Sequence, residues 1–374
     1  MKRVLHIFLN CGGDKAKSAC SGDRKGKIEL LGGQKSVKKY YVVVLLVLFA
    51  VSALLSGCGS TPEKPAAAPA AQKFVYKLGH VYAPDHPFNA GMKEMADSIK
   101  AKSNGRLEIQ VYPAAQLGSE KDMGDSLSRG LVDLGIIGPG ELGKRYKPVL
   151  AFDGPYTFRD ADHAVKVARG DIGKGLWAAL EKESKIKTLD TLYYGTRWLT
   201  TSKKEVKTPE DMKGLKIRVP DQPMSIAIAK AMGASPTPMA LSEAYLALSQ
   251  GVADGQENPI ATIVTQKFLE VQKYLVLTGH VVQMTPLVIN ADKFAALPAD
   301  LQKILTDEVK TATDKINAKV KGDEGKIIDD VRKAGKVAVV TPNGDAFRKA
   351  TRVVVDDNKA SWGPELYDKI HAVK

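Results

Sequence analysis

Arg218 is the residue of this chain whose type and position most favour a specific chemistry. In Leu215-Lys216-Ile217-Arg218-Val219 the pattern alternates, so a strand here turns Leu215, Ile217 and Val219 to one face and Arg218 to the other. Pro220 ends the strand and leaves Arg218 at its carboxyl end, where open α/β sheets hold their ligands. A guanidinium at such a place can grip a carboxylate through two parallel hydrogen bonds. Taken alone, an arginine on a polar strand face reads equally well as a solvated side chain. Other reactive patterns are weaker. Gly138-Pro139-Gly140-Glu141-Leu142-Gly143 has the GxGxxG form, but it follows a third strand rather than a first, and Pro139 stiffens it. It reads better as a glycine-rich turn beside a cleft. His80, His86, His163, His280 and His371 are scattered, without HExxH or paired spacing, so no metal site is indicated. There is no GxSxG elbow, and no thiol beyond Cys58. Nothing points to catalysis or to a cofactor.

Cys58 has a different chemistry. An apolar run, Tyr40–Leu54, follows Lys38-Lys39 and leads through Leu55-Ser56-Gly57 to this cysteine. A basic flank, an apolar core and small residues before a cysteine make an export signal of the bacterial lipoprotein kind, with the thiol lipidated and the chain cleaved just before it. The run is shorter than the about 20 apolar residues that spanning a bilayer takes. The expected mature protein is therefore exported and lipid-anchored, facing the periplasm or the cell exterior. Residues 1–36 fit poorly as the start of a signal and read as an over-extended gene start, with Val37 the better initiation point. Of the formal net charge of +13, seven units sit in residues 1–57, leaving +6 for the remainder, too modest to indicate nucleic acid. Cys11 and Cys20 fall in the removed segment, so no internal disulfide is expected.

Those residues need a scaffold, and the chain beyond a Pro- and Ala-rich tether (58–72) supplies one. A strand opens at Val75 and runs to Val81; apolar residues at helical spacing fill Phe88–Lys102, closed by Asn104-Gly105. A strand over Leu107–Tyr112, a helix over Met123–Leu131 and a buried strand over Val132–Ile137 follow. Further strands are expected at Ile186–Tyr194, Gly214–Val219 and Pro236–Met239, with helices at Met224–Met232 and Ser242–Gly251. Asp300–Gly335 reads as a long charged helix with Gly322–Gly325 as its natural breakpoint. The rhythm predicts the α/β class with parallel strands and crossover helices. The length favours two lobes over one core.

Five strings follow one another in the second half: Tyr194-Gly195-Thr196-Arg197; Thr208 to Pro220; Gly233 to Met239; Glu243 to Leu248; and Asp254-Gly255-Gln256-Glu257-Asn258-Pro259. In order and spacing this set resembles the substrate-binding proteins of TRAP (tripartite ATP-independent periplasmic) transporters. The best-known members of that family bind C4-dicarboxylates and sialic acid. The resemblance runs from Phe74 onward and is strongest across 196–277. It implies a two-lobed periplasmic-binding-protein-like fold with the ligand cleft between the lobes and a long helix spanning them. Lobe I would take 73–194 and 284–323, and lobe II 195–283 and 324–374.

The resemblance also assigns roles. Arg218 would form the main salt bridge to a ligand carboxylate. Arg197 would be a second cation or an organiser of the cleft, and Asn258 an amide contact. Trp198 would either wall the pocket or pack elsewhere. Glu120 keeps an acid that sialic-acid-binding members use, whereas Leu241, Gly138 and Val81 stand where those members have phenylalanine, glutamate and asparagine. That loss of polar contacts favours a smaller or less hydroxylated acid. Asp221, Pro139 and His80 would border the cleft. The implied function is capture of a small organic acid (a dicarboxylate, 2-oxo acid, sugar acid or aromatic acid) and its delivery to the two integral-membrane subunits of an ion-gradient-driven transporter. A receptor that presents its ligand to a sensor kinase, and an extracellular hydrolase, are the alternatives.

Overall fold

The computed structural model describes residues 72–374; the signal region 1–57, Cys58 and the tether up to residue 71 lie outside the described residues. In chain order the elements are β1 (Phe74–Gly79), α1 (Pro87–Lys102), β2 (Leu107–Tyr112), α2 (Glu120–Ser128), β3 (Leu134–Ile136), a single-turn α3 (Pro139–Leu142), α4 (Ala161–Arg169) and α5 (Asp171–Ser184). Then come β4 (Ile186–Thr201), β5 (Lys216–Val219), α6 (Pro223–Ala231), β6 (Ser235–Pro238), α7 (Leu241–Ser249), β7 (Gly255–Pro259) and α8 (Ile260–Thr265). The chain ends with β8 (Tyr274–Val276), β9 (Val282–Asn290), α9 (Ala291–Ala295), α10 (Ala299–Ala334), β10 (Ala338–Val340), α11 (Gly344–Trp362) and α12 (Leu366–Ala372).

Two sheets share one long strand. The first has the order β2-β1-β3-β9-β4, and the second β6-β5-β7-β4-β8-β10. The strands β1–β2, β1–β3, β5–β6, β5–β7 and β8–β10 are parallel, as the alternating pattern predicts. The expectation of an all-parallel arrangement needs correcting, because β4 and β9 run antiparallel to their neighbours. These two strands take the chain from one sheet to the other and back, so their directions must oppose.

β4 changes sheets at a glycine. Residues Ile186–Thr196 pair with β9, and Arg197–Thr201 pair with β7. The register slips between Tyr193 and Gly195, a β-bulge, and Gly195 takes φ +126°, a conformation a side chain would resist. A Cβ there would also lie 2.8 Å from Pro259 Cβ. The bulge alters which side chains share a face. In a regular strand Tyr194 and Arg197, three apart, would face opposite ways. With the extra residue both line the same cavity.

Local signals explain the supporting helices. α1 begins where His86 Nδ1 accepts from Phe88 N (3.2 Å), and it buries Phe88, Met92, Met95, Ala96 and Ile99 at helical spacing. Each of the larger side chains, Phe88, Met92, Met95 and Ile99, contributes about 2 kcal/mol by its burial. At the start of α2 a reciprocal Ser119–Asp122 capping box fixes the first turn, so Glu120 is its first helical residue. α10 is continuous for 36 residues, against the expected break. Gly322 and Gly325 cost only about 1 kcal/mol each in a helix interior. The helix recovers this by burying Leu301, Leu305, Val309, Ile316 and Val320 in the main core and Ile328 in a second one. Between the two cores its Glu324 accepts from Thr196 N (2.5 Å) and Tyr193 OH (2.7 Å), which pins the bulge.

Candidate functional site

A cavity of about 460 Å³ opens between the sheets. Val81, Tyr82, Glu120, Gly138 and Glu141 approach from the first sheet, and Arg218, Met239, Leu241 and Asn258 from the second. Its size and its few converging polar groups fit a site for a small molecule.

Arg218 stands at the end of β5 with only 2% of its surface exposed. The strand is central in its sheet, held in register by Thr237 and Gln256, so the guanidinium cannot swing out to solvent. Leu215, Ile217 and Val219 fill the core on the other face, as their alternation predicts. One N–H of Arg218 donates from Nη2 to the Met239 carbonyl (2.7 Å), while Nε is buried without a partner. No carboxylate among the described residues forms an ion pair with it. Burial, with repulsion from Arg197 and partial relief from Glu257, lowers its pKa to about 10. An uncompensated buried cation costs several kcal/mol, so it signals an anionic occupant.

Arg197 is equally buried but committed. Its Nε and Nη2 donate to the Glu257 carboxylate, Nη2 also reaches the Glu257 carbonyl (2.7 Å) and Asn258 Oδ1 (3.2 Å), and Nη1 donates to Gln283 Oε1 (2.7 Å). Burial alone would raise Glu257, but Arg197 and His280 outweigh it and hold the carboxyl down to about 2. The network continues through His280 Nε2 to Glu257 (3.1 Å) and Gln283 Nε2 to Asp153 Oδ1 (2.7 Å). Asn258 Oδ1 accepts from Tyr194 OH (3.2 Å), and its Nδ2 donates to Gln256 Oε1 (2.6 Å). Arg197 thus orders the cavity wall and brings no free charge.

One contact crosses the cavity. Gln222, the residue before α6, leaves its own helix uncapped and donates from Nε2 to Glu120 Oε2 (3.2 Å). Its other amide atom packs on Gly140, where an added Cβ would lie 2.0 Å from Gln222 Oε1. The second oxygen of Glu120 accepts from Gly138 N. Burial, opposed by that bond and reinforced by Glu141 and Asp153, pushes the Glu120 carboxyl up to about 7.

A model of the bacterial extracellular solute-binding protein family 7 matches residues 78–361. The chain belongs to this family. It is 34% identical over 281 residues to the sialic acid-binding periplasmic protein of Vibrio cholerae, covering 75% of this chain and 87% of that one. The 2,3-diketo-L-gulonate-binding periplasmic protein of Escherichia coli is also 34% identical over 281 residues, covering 75% and 85%. Among solved structures, a TRAP periplasmic solute-binding protein from Polaromonas with bound D-erythronate superposes with a TM-score of 0.76 at 32% identity, covering 81% of this chain and 99% of that one. The fold is the two-lobed α/β fold of these proteins, and the chain is a bacterial extracellular solute-binding protein rather than an enzyme.

Within this family fold, the cavity brings together Arg218, Arg197, Asn258, Leu241, Glu120, Asp221 and Gly138, all expected from sequence. Three expectations need correction. Trp198 alternates with Arg197 and so points the other way, packing against the second core with its ring beside Gly279. His80 is fully buried behind the wall near Tyr82, with both ring nitrogens unpartnered and its pKa lowered to about 4 by burial. Pro139 starts α3 one residue beyond Gly138, is buried, and is not among the residues that line the cavity. Tyr194, Gln222, Glu257 and Gln283 were missed. Glu257 and Tyr194 lie within the motif strings, but glutamine at 222 and 283 carries no signal short of the fold.

Proposed function

We propose that this solute-binding protein captures a small organic acid between its lobes, with Arg218 as the carboxylate anchor, and delivers it to the membrane subunits of a TRAP transporter. One observation supports the anchor above all: the guanidinium is buried against the cavity with a single protein hydrogen bond and no counter-charge. Lobe I comprises 73–194 and 284–323, and lobe II 195–283 and 324–374. The ligand stabilises the closed form because it contacts both lobes, so closure is a population shift. Asn258 and Arg197 shape the anchor, while Glu120, Gly138, Leu241 and Asp221 meet the rest of the ligand. The signal pattern before Cys58 supports an exported protein held by a lipid on that residue, and the tether raises its concentration near the transporter.

Removing a charge-assisted partner from a desolvated site costs about 2–5 kcal/mol, or roughly 30- to several-thousand-fold in affinity. Calorimetry on Arg218→Ala, with whichever acid a thermal-shift panel identifies for the wild type, is expected to show that loss. Arg218→Lys restores little of it, since an ammonium cannot reproduce the fork. Wild-type affinity in Arg218→Ala refutes the anchor. Intact-mass analysis of protein extracted from membranes tests the lipid: the expected chain starts at Cys58 with acyl groups attached, and one retaining residues before Cys58 refutes it.

A further inference from the structure

One end of the first sheet carries surface chemistry that the ligand cavity does not use. β1, β2 and β3 run parallel and all begin at this end. Where β1 starts, alternation buries Tyr76 and Leu78 and leaves Lys73, Val75 and Lys77 exposed, Val75 at 51%. Leu78 pairs with Leu134, and Val75 and Leu131 each stand three positions before that pair, so both enter the sheet at the same end. Asp133 ties the two segments together by accepting from Lys77 N (2.8 Å). Leu131 is 68% exposed, more than any other large apolar side chain among the described residues. Its place is fixed by the turn that closes α2: Gly130 takes φ +69°, and Leu131 N donates to Ser126 O (2.9 Å).

The charge around these two side chains is one-sided. Lys73, Lys77 and Arg129 form no ion pair among the described residues, and Arg129 uses only Nε, on the Asp125 carbonyl of its own helix (3.2 Å). The neighbouring acids are held by other cations: Asp133 by Lys293 (3.2 Å), Glu108 by Lys100 (3.2 Å) and Asp125 by Arg145 (2.6 Å). Two apolar side chains are too few for the core of a protein–protein interface, whereas exposed apolar groups ringed by cations suit a bilayer, whose headgroup charge lies above its apolar layer. The patch also begins at Lys73, where the tether from Cys58 joins the described chain. On the reading that Cys58 carries a lipid, residues 58–72 reach at most about 50 Å, so this end stays close to the membrane.

We propose that this patch rests on the anionic lipid surface to which the chain is tethered, with Leu131 and Val75 in the headgroup layer and Lys73, Lys77 and Arg129 on lipid phosphates. Each cation near such a surface favours the docked state about fivefold, and three together about 100-fold, an effect that salt weakens. The cavity starts with Val81 and Tyr82 beyond the other end of β1, about 20 Å away, so docking leaves the cavity clear of the lipid.

On the same reading the mature chain has no thiol besides the lipidated Cys58, so Leu131→Cys supplies a single site for a polarity-sensitive dye. Val353→Cys, equally exposed to Val75 but on α11, is the control site. Lipidated protein extracted from membranes is mixed with vesicles of phosphatidylcholine, with and without phosphatidylglycerol; flotation reads the lipid and the dye reads the patch. The dye at position 131 is expected to shift to the blue on the anionic vesicles alone, to lose the shift in high salt, and to stay unshifted at position 353. Adding Lys73→Glu and Lys77→Glu should lower the ratio of docked to undocked chain at least about 20-fold while leaving flotation and the melting temperature unchanged. Flotation without a shift at 131, or with equal shifts at 131 and 353, overturns this inference and leaves the lipid standing. Protein that does not float overturns the lipid, and this inference with it.

Discussion

Glu257 has no place on the ligand, yet its substitution should disturb the site more than most. The carboxylate neutralises Arg197 through Nε and Nη2 (2.9 Å to the latter) and accepts from His280 (3.1 Å). It is 7% exposed, so neither partner can turn to water when it goes. In Glu257→Gln the shape stays and the charge leaves. Breaking a buried pair from one side costs about 3–5 kcal/mol. The amide oxygen of Gln can still accept one of the three bonds, which places this case near the lower end. For a domain of this size about 2 °C of melting temperature corresponds to each kcal/mol, giving a fall of roughly 6 °C. The same change leaves a second uncompensated guanidinium in the wall, so a dianion is expected to gain relative to the wild type. Thermal melts of the variant with and without succinate read both effects: a lower midpoint alone, and a larger rise with succinate than the wild type shows. A midpoint within about 1 °C of wild type would refute the buried-pair argument, because it would mean that Arg197 is already solvated.

Two further outcomes follow from the same geometry. Gly140→Ala places a methyl 2.0 Å from Gln222 Oε1, so the cross-cavity contact cannot seat and affinity for the ligand should fall with little change in Arg218; calorimetry showing wild-type affinity would remove Gln222 from the closed state. Burial holds Asp153 up at about 6, against the Gln283 bond, and Glu120 at about 7, so both bind protons more tightly folded than unfolded. The stability they contribute is fully present below pH 4 and is lost as pH rises through these values. The melting temperature of the ligand-free protein should therefore fall between pH 5 and 7, and less steeply in Glu120→Gln; equal slopes would contradict a buried Glu120.

Arg218 was legible because strand alternation and Pro220 fix both its face and its position along the strand. The same alternation settles Trp198, which the sequence reading left open: it adjoins Arg197 and therefore faces away from it. Tyr194 was hidden for a related reason: only the bulge at Gly195 lets residues three apart share a face, and neither the register slip nor a φ of +126° can be read from one glycine. The helical run of α10 was visible throughout, but its continuity past Gly322 and Gly325 depends on burial against two cores, which local propensity does not contain. Nor do composition and motif reveal polar groups contributed by neighbours. The non-polar residues at Gly138, Val81 and Leu241 suggest a less polar pocket, whereas Gln222, Gln283 and Tyr194 arrive from other elements and restore hydrogen-bonding groups to it.

Arg218 and Glu120 reach the cavity from the sides of different sheets. Arg218 and its tether, the Met239 carbonyl, both belong to the second sheet and stay together however the lobes move. Glu120 and Gly138 belong to the first-sheet side and reach the second only through Gln222, four residues beyond the anchor. A carboxylate can therefore be gripped while the cleft is open, on the strength of one guanidinium that reads charge and little else. On the proposed reading, the groups on the Glu120 side meet the remainder of the ligand only as the lobes close. Substitutions at Arg218 are therefore expected to weaken all carboxylate ligands together, whatever the groups on the opposite wall.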